Sequence, residues 1–202
     1  MDELDLQTED VLLFSGKKSY FIDWAIEYFT ESKYSHVGIV IKDPPSNTSL
    51  KGIYILESTE TPLIKDAEDG KYKLGVSIKL LSDKLKHYDG KMFVRKLHAE
   101  RDEAFHEKVN KIHSIVHDKP YDLDAEDWLD AVFRTEFGNV HKQTTFICSA
   151  LVSFFLVGIE AVAKDTPWTV LRPSDLGTDA KRSYRMTFIN NCTLDREIEF
   201  KL

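Results

Sequence analysis

The chain has 202 residues, 42% of them hydrophobic and 30% charged, enough for one domain with a real core, read here as a single domain over residues 1–202. A formal net charge of −7 argues against a phosphate-backbone binder, so nucleic acid is not expected as a partner. No apolar run approaches the ~20 residues a transmembrane helix needs, and two cysteines, Cys148 and Cys192, make no disulfide framework. The acidic start, Met1-Asp-Glu-Leu-Asp, is unlike a secretory signal, so the expected setting is reducing and cytoplasmic.

In chain order, "EDVLLFSG" reads as a first strand closed by glycine. "SYFIDWAIEYFTE" spaces Phe21, Ile22, Ala25, Ile26 and Phe29 as a helix with Ser19 as its cap. "HVGIVIK" and "GIYILEST" are rich in β-branched residues and flank the loop "DPPSNTS", which predicts two neighbouring strands in a long hairpin. "LGVSIKLL" and "KMFVRKL" predict two further strands. From Ala99 the period lengthens: Phe105, Val109, Ile112 and Val116 mark an amphipathic helix ending before "DKPYD". Trp128, Leu129, Val132 and Phe133 predict a shorter helix, and "TTFICSALVSFFL" a largely buried one. "YRMTFIN" and "REIEFKL" close the chain as strands. Strands, then helices, then strands again predict an α+β domain.

Three residues in this scheme combine into chemistry. Cys148 shares a helical face with Leu151, Val152, Phe155 and Ile159, as a packed thiol would. Thr144 and Thr145 read as caps, however, and would put Cys148 in the first turn, where free N–H groups and the helix dipole favour a thiolate. A cysteine nucleophile needs a base and the base an orienting group. His36 opens an otherwise apolar strand. Glu57 follows Ile53 and Ile55 on one face of its strand, so a carboxylate points where apolar residues point, and burial would require a partner such as a histidine on the next strand. Against these stand bland readings: a solvated strand-end histidine and a strand that ends in water.

Other constellations are weaker. His106, His113 and His117 fall within about 40° of one another on the Ala99 helix, but Glu107 does not sit as the HExxH pattern requires, so no metal is expected. "SGKKS" lacks the spacing of a phosphate loop, and no G-x-S-x-G elbow occurs.

Taken together, "EDVLLFSG", "YSHVGIVI", "YILESTETPL", "KPYDLDAEDW", "FICSALVSFFL" and "LRPSDL" resemble the circularly permuted NlpC/P60 family of papain-like proteins, over roughly Glu9 to Leu176. The resemblance implies an antiparallel sheet packed against helices, with the nucleophile at a helix N-terminus. It also implies a triad of Cys148 as nucleophile, His36 as general base and Glu57 as the residue orienting the imidazole. Tyr121, of the P-Y-D motif, would lie beside the site and help hold an oxyanion. Ser35, Ile147 and Ala150 would line the substrate pocket, and the last two depart from the family pattern, which has an aromatic residue before the cysteine and a glutamate two after it. The implied activity is hydrolysis of amide or ester bonds through an acyl-enzyme, without metal or cofactor, on a small molecule, peptide or lipid. Alternatives are a lipid acyl-hydrolase or acyltransferase of the same superfamily and a non-catalytic binding module. The family also occurs in large DNA viruses, which adds a virion to the possible settings. Cys192 has no counterpart in the motifs and is read as incidental.

Overall fold

The computed structural model describes residues 5–16, 32–44, 46–121, 147–179 and 184–200. Its elements are β1 (Val11–Gly16), β2 (His36–Lys42), β3 (Ile53–Thr59), β4 (Gly75–Leu80), α1 (Leu81–His87), β5 (Gly90–Arg95), β6 (Leu97–His98), α2 (Glu103–Val116), α3 (Cys148–Gly158), β7 (Thr193–Leu194) and β8 (Ile198–Phe200). Two short 3-10 turns, Trp168–Val170 and Pro173–Leu176, follow α3. The helices expected around Phe21–Phe29 and Trp128–Phe133 lie outside the described residues.

Six strands form one antiparallel sheet in the order β4-β3-β2-β1-β5-β8, and β6 pairs with β7 apart from it. The chain is thus α+β, as expected. Strand alternation sorts side chains onto two faces. On one, Val11, Leu13, Val37, Ile39, Tyr54, Leu56, Val76 and Ile78 join Phe105, Val109 and Ile112 of α2 and Leu151, Val152 and Phe155 of α3 in the larger core. On the other, Leu12, Phe14, Val40, Ile55, Met92 and Val94 pack with Leu81 of α1 in a smaller one. Both faces are therefore covered, and the central strands read as nearly continuous apolar runs. No described helix is long and apolar enough to cross a membrane.

Two predicted elements change form. The strand expected through Leu81 ends at Leu80, and Leu81 starts α1, whose Leu81 and Leu85 give too short a period to stand out in the sequence. "YRMTFIN" is not a strand: a single bridge joins Val162 to Phe188, flanked by the bonds Ala163 N–H to Thr187 and Ile189 N–H to Ala161. The chain then turns through Asn190 and Asn191, both at positive φ, which ends the pairing.

Loop carboxylates hold the edges of this frame. Asp10, fully buried, accepts the N–H groups of Gln7 and Leu97 and pairs with Lys96 and Arg101, tying the start of β1 to the chain after β5. Its neighbour Glu9 is also fully buried and sits at φ 71°, and burial pushes its carboxyl well above the usual range. Asp66 accepts the N–H groups of Glu68, Asp69 and Ile78, folding the β3–β4 connection back onto β4.

Gly75 begins β4 at φ +116°, and a Cβ there would lie 2.3 Å from the carbonyl oxygen of Lys119 and 2.6 Å from the nitrogen of Tyr121. Gly75→Ala is therefore expected to destabilise the fold by roughly 2–4 kcal/mol, from strain at positive φ plus the backbone clash, read as a lowered urea midpoint.

Candidate active site

The site is assembled at one rim of the sheet, where β2 begins and β1 and β3 end. Register places Phe14 opposite His36, Leu56 opposite Ile39 and Ser77 opposite Glu57. Alternation then puts Phe14, His36, Glu57 and Lys79 on the face of the smaller core. His36 Nε2 lies 2.7 Å from Glu57 Oε2, and the imidazole packs against the Phe14 ring with centroids 5.4 Å apart. Glu57 is fully buried. A carboxylate in that position needs several partners. It has three: Lys79 Nζ donates to Oε1 at 2.7 Å, Lys84 Nζ reaches Oε1 at 2.9 Å and Oε2 at 2.8 Å, and His36 holds Oε2. Burial alone would push the Glu57 carboxyl up, but Lys84, Lys79 and His36 together hold it well below the usual carboxylate range.

Cys148 arrives from the other face. It is the first residue of α3, which lies over β2 and β3, and its side chain is 5% exposed and free of any disulfide. Thr144 and Thr145, read as caps, lie outside the described residues; the N-cap is Ile147, which offers no side-chain bond. The first-turn placement of the thiol stands nonetheless, and the Cys148 N–H is one of the groups a helix start leaves without an intrahelical partner. The His36 ring meets Cys148 at the rim. Burial disfavours the imidazolium, but the charge and hydrogen bond of Cys148, then those of Glu57, more than offset it and raise His36 to about 9. Because Nε2 faces Glu57, the nitrogen left for the thiol is Nδ1. A thiol, an imidazole that favours its charged form and a carboxylate that stays ionised are thus placed in series, an arrangement able to form a thiolate and to carry its proton.

The remaining predicted residues are placed as follows. Ser35 is buried beside His36, its N–H donating to the Phe14 carbonyl at 3.1 Å. Ile147 is partly buried against the larger core, while Ala150, 5% exposed, belongs to that core. Ala150 thus packs in that core at the same depth as Cys148. Tyr121 follows the Lys119–Pro120 backbone that abuts Gly75 at the head of β4. Ser149 braces the helix start by donating to the Leu171 carbonyl at 2.7 Å.

Sequence reasoning missed the two lysines. Lys79 could have been found, since "GVSIKL" alternates Val76 and Ile78 with Ser77 and Lys79, a cation on a covered face next to a strand carrying a misplaced carboxylate. Lys84 gives no comparable signal. Of the histidines on α2, His113 meets Glu68 Oε2 at 3.4 Å, as does the following His117 at 2.9 Å, while His106 meets the Phe105 ring edge-on. Among the described residues no group of three or more His, Cys, Asp or Glu side chains is arranged to hold a metal ion. Cys192 lies away from the site, half-buried, in the turn before β7.

No family model and no curated protein sequence matches the chain. Among solved structures it is similar to the crystal structure of the metalloprotein YiiX of Escherichia coli O157:H7, from domain-of-unknown-function group DUF1105, with 19% identity and a TM-score of 0.51. The likeness covers 76% of this chain and 66% of that one, so the chain spans just under two thirds of the neighbour's length. At that identity the likeness is one of fold.

Replacing Glu57 by Gln leaves Lys79, itself only 2% exposed, without its counter-charge. The variant is expected to lose roughly 3 kcal/mol at pH 7, the scale of breaking a buried pair. Because the folded carboxyl is depressed, the wild-type advantage is present above the unfolded value near 4.5 and disappears as pH falls through the folded one. Urea titrations of both proteins from pH 7 downward measure this convergence.

Proposed function

We propose that the chain is a cysteine hydrolase of amide or ester bonds, a permuted papain-like domain in which Cys148, His36 and Glu57 act in series. The observation carrying this reading is the fully buried Glu57 carboxylate 2.7 Å from the His36 ring, with the Cys148 thiol at a helix head close enough to help raise that ring to about 9. The fold-level likeness to YiiX is compatible with it and adds no activity. That neighbour is a metalloprotein, whereas among the described residues here no group of three or more His, Cys, Asp or Glu is arranged for a metal.

The His36 ring takes the Cys148 proton, giving a thiolate and an imidazolium. The thiolate attacks the carbonyl carbon, and the carbonyl π pair moves to oxygen, where the Cys148 N–H at the helix start is a donor. Collapse expels the amine or alcohol, which takes the proton from His36, and leaves a thioester. Water, deprotonated by the now neutral imidazole, attacks the thioester and releases the acid, and the thiolate is restored. Throughout, Glu57 keeps Nε2 protonated and Nδ1 turned to the sulfur.

A lipid acyl substrate is the second reading, and one feature favours it. Leu63, Tyr72 and Leu74, exposed by 67, 59 and 57%, all lie on the connection between β3, which carries Glu57, and β4. Large apolar side chains left in water on the connection that follows the Glu57 strand suit an acyl chain better than a polar peptide. A free thiol as nucleophile also suits the reducing, intracellular setting expected from the cysteine count.

Iodoacetamide is expected to modify Cys148 of the native protein at pH 7 at least tenfold faster than a free cysteine, with His36→Ala abolishing the excess. Equal rates in wild type and variant would remove the proposal. Turnover of an acyl ester panel is expected to vanish in Cys148→Ala. Because the raised His36 is protonated below about 9 and neutral above it, the acylation rate should hold through neutrality and fall on the alkaline side with a midpoint near 9.

A further inference from the structure

Lys84 contacts both oxygens of Glu57, at 2.9 and 2.8 Å, whereas Lys79 and His36 each contact one. The two lysines come from different elements, Lys79 from β4 and Lys84 from α1, and they differ in depth. Lys79 is 2% exposed, while Lys84 is 15% exposed and its ammonium also lies over the Phe14 ring, 5.2 Å from the centroid. That ring is the one packed on His36. Lys84 therefore touches both supports of the imidazole, the carboxylate behind it and the aromatic ring beside it.

Two cations on one carboxylate are more than its charge requires. One lysine would neutralise Glu57; the second makes the anchor of the imidazole net positive. A bare buried carboxylate would bind the imidazolium so tightly that its proton would be hard to give back. Opposed by two ammonium groups, the same carboxylate still orients the ring through its 2.7 Å bond but pulls on the proton less.

We propose that Lys84 is a positioning residue: by clamping both oxygens of Glu57 it fixes the direction the carboxylate faces, and it limits how firmly that carboxylate retains the proton of His36. The inference rests on the cysteine-hydrolase reading for its purpose, but its physical content concerns His36 alone. Among the described residues, the charged and titratable groups acting on His36 are Cys148 from α3 and Glu57 from β3, and those on Glu57 in turn are Lys79 from β4 and Lys84 from α1. Removing the Lys84 charge leaves the carboxylate less opposed, so the imidazolium gains stability. Removing the Glu57 charge does the reverse. A residue that merely helped the fold would move neither, and the opposite signs are the signature.

The experiment follows the His36 Cε1–H resonance against pH by NMR in the full chain, for wild type, Lys84→Met, Lys84→Arg and Glu57→Gln. Wild type is expected to titrate near 9. Lys84→Met should move the midpoint up by about one pH unit, Lys84→Arg should restore it to within a few tenths, and Glu57→Gln should move it down. Should Lys84→Met fail to fold, Lys84→Gln, which keeps a donor but no charge, takes its place with the same expected direction. A folded Lys84→Met or Lys84→Gln protein whose His36 midpoint matches wild type, or falls below it, overturns the inference. A wild-type midpoint near 6.5 together with an unreactive Cys148 would instead sink the hydrolase reading, so the two failures are told apart.

Discussion

A carboxylate with no access to water dominates this structure. Moving an ion of that size into a protein interior costs several kcal/mol even after relaxation, and only close, well-directed donors offset it. Glu57 has four such contacts, from His36, Lys79 and twice from Lys84, each a charge-assisted bond of about 1.5–3 kcal/mol. These donors come from three different elements. The β2–β3 and β3–β4 registers must both be right for them to converge, and a slip of one residue would turn the side chains of a strand to the opposite face. The polar cluster therefore acts as a register lock on the middle of the sheet, while the apolar residues around it supply the bulk of the stabilisation.

The same cluster sets the electrostatics of the thiol. Cys148 sits at the head of a helix whose mean composition is strongly apolar and which is buried on nearly all sides, so its position is set by packing. Phe155, Leu151 and Val152 hold the helix against β2 and β3, and Ser149 ties its first turn to Leu171. The rigid helix fixes the sulfur and the locked sheet fixes the imidazole. Neither element needs to move for the two to meet, which is the condition for a preorganised proton transfer.

How much of this could be read from the residues depends on the kind of signal each leaves. Alternation in "GIYILEST" exposed Glu57 as an acid on an apolar face, and the imidazole opening "HVGIVIK" supplied a candidate partner; both are period-two signals, local and strong. The antiparallel sheet and the α2 and α3 helices follow from period as well. Lys84 lies on a seven-residue helix with one short apolar repeat, and its link to Glu57 spans 27 residues through tertiary contact alone, so no local pattern reports it. Ala150 is named for the pocket by motif position alone, and the structure adds its place in the core beside Leu151 and Val152. The "YRMTFIN" segment shows the converse limit: β-prone residues make only a bridge when the neighbouring chain offers two backbone bonds and then turns.

In the proposed cycle the proton travels between sulfur, imidazole, leaving group and water, while Glu57 and the two lysines keep their charges. Passing a proton from thiol to imidazole creates a negative and a positive charge side by side, so the total charge of the buried site is unchanged. Attack on the carbonyl then moves the negative charge from sulfur to oxygen, again without changing the total. A largely buried site can sustain such redistribution, because no step requires a new net charge to be stripped of water. A histidine backed by an unopposed carboxylate would complete the first transfer readily and stall at the return of the proton. One backed by no carboxylate would orient poorly and resist the first transfer. The arrangement of one carboxylate between two ammonium groups lies between these limits, and it gives a reason for gathering Glu57, Lys79 and Lys84 behind one imidazole.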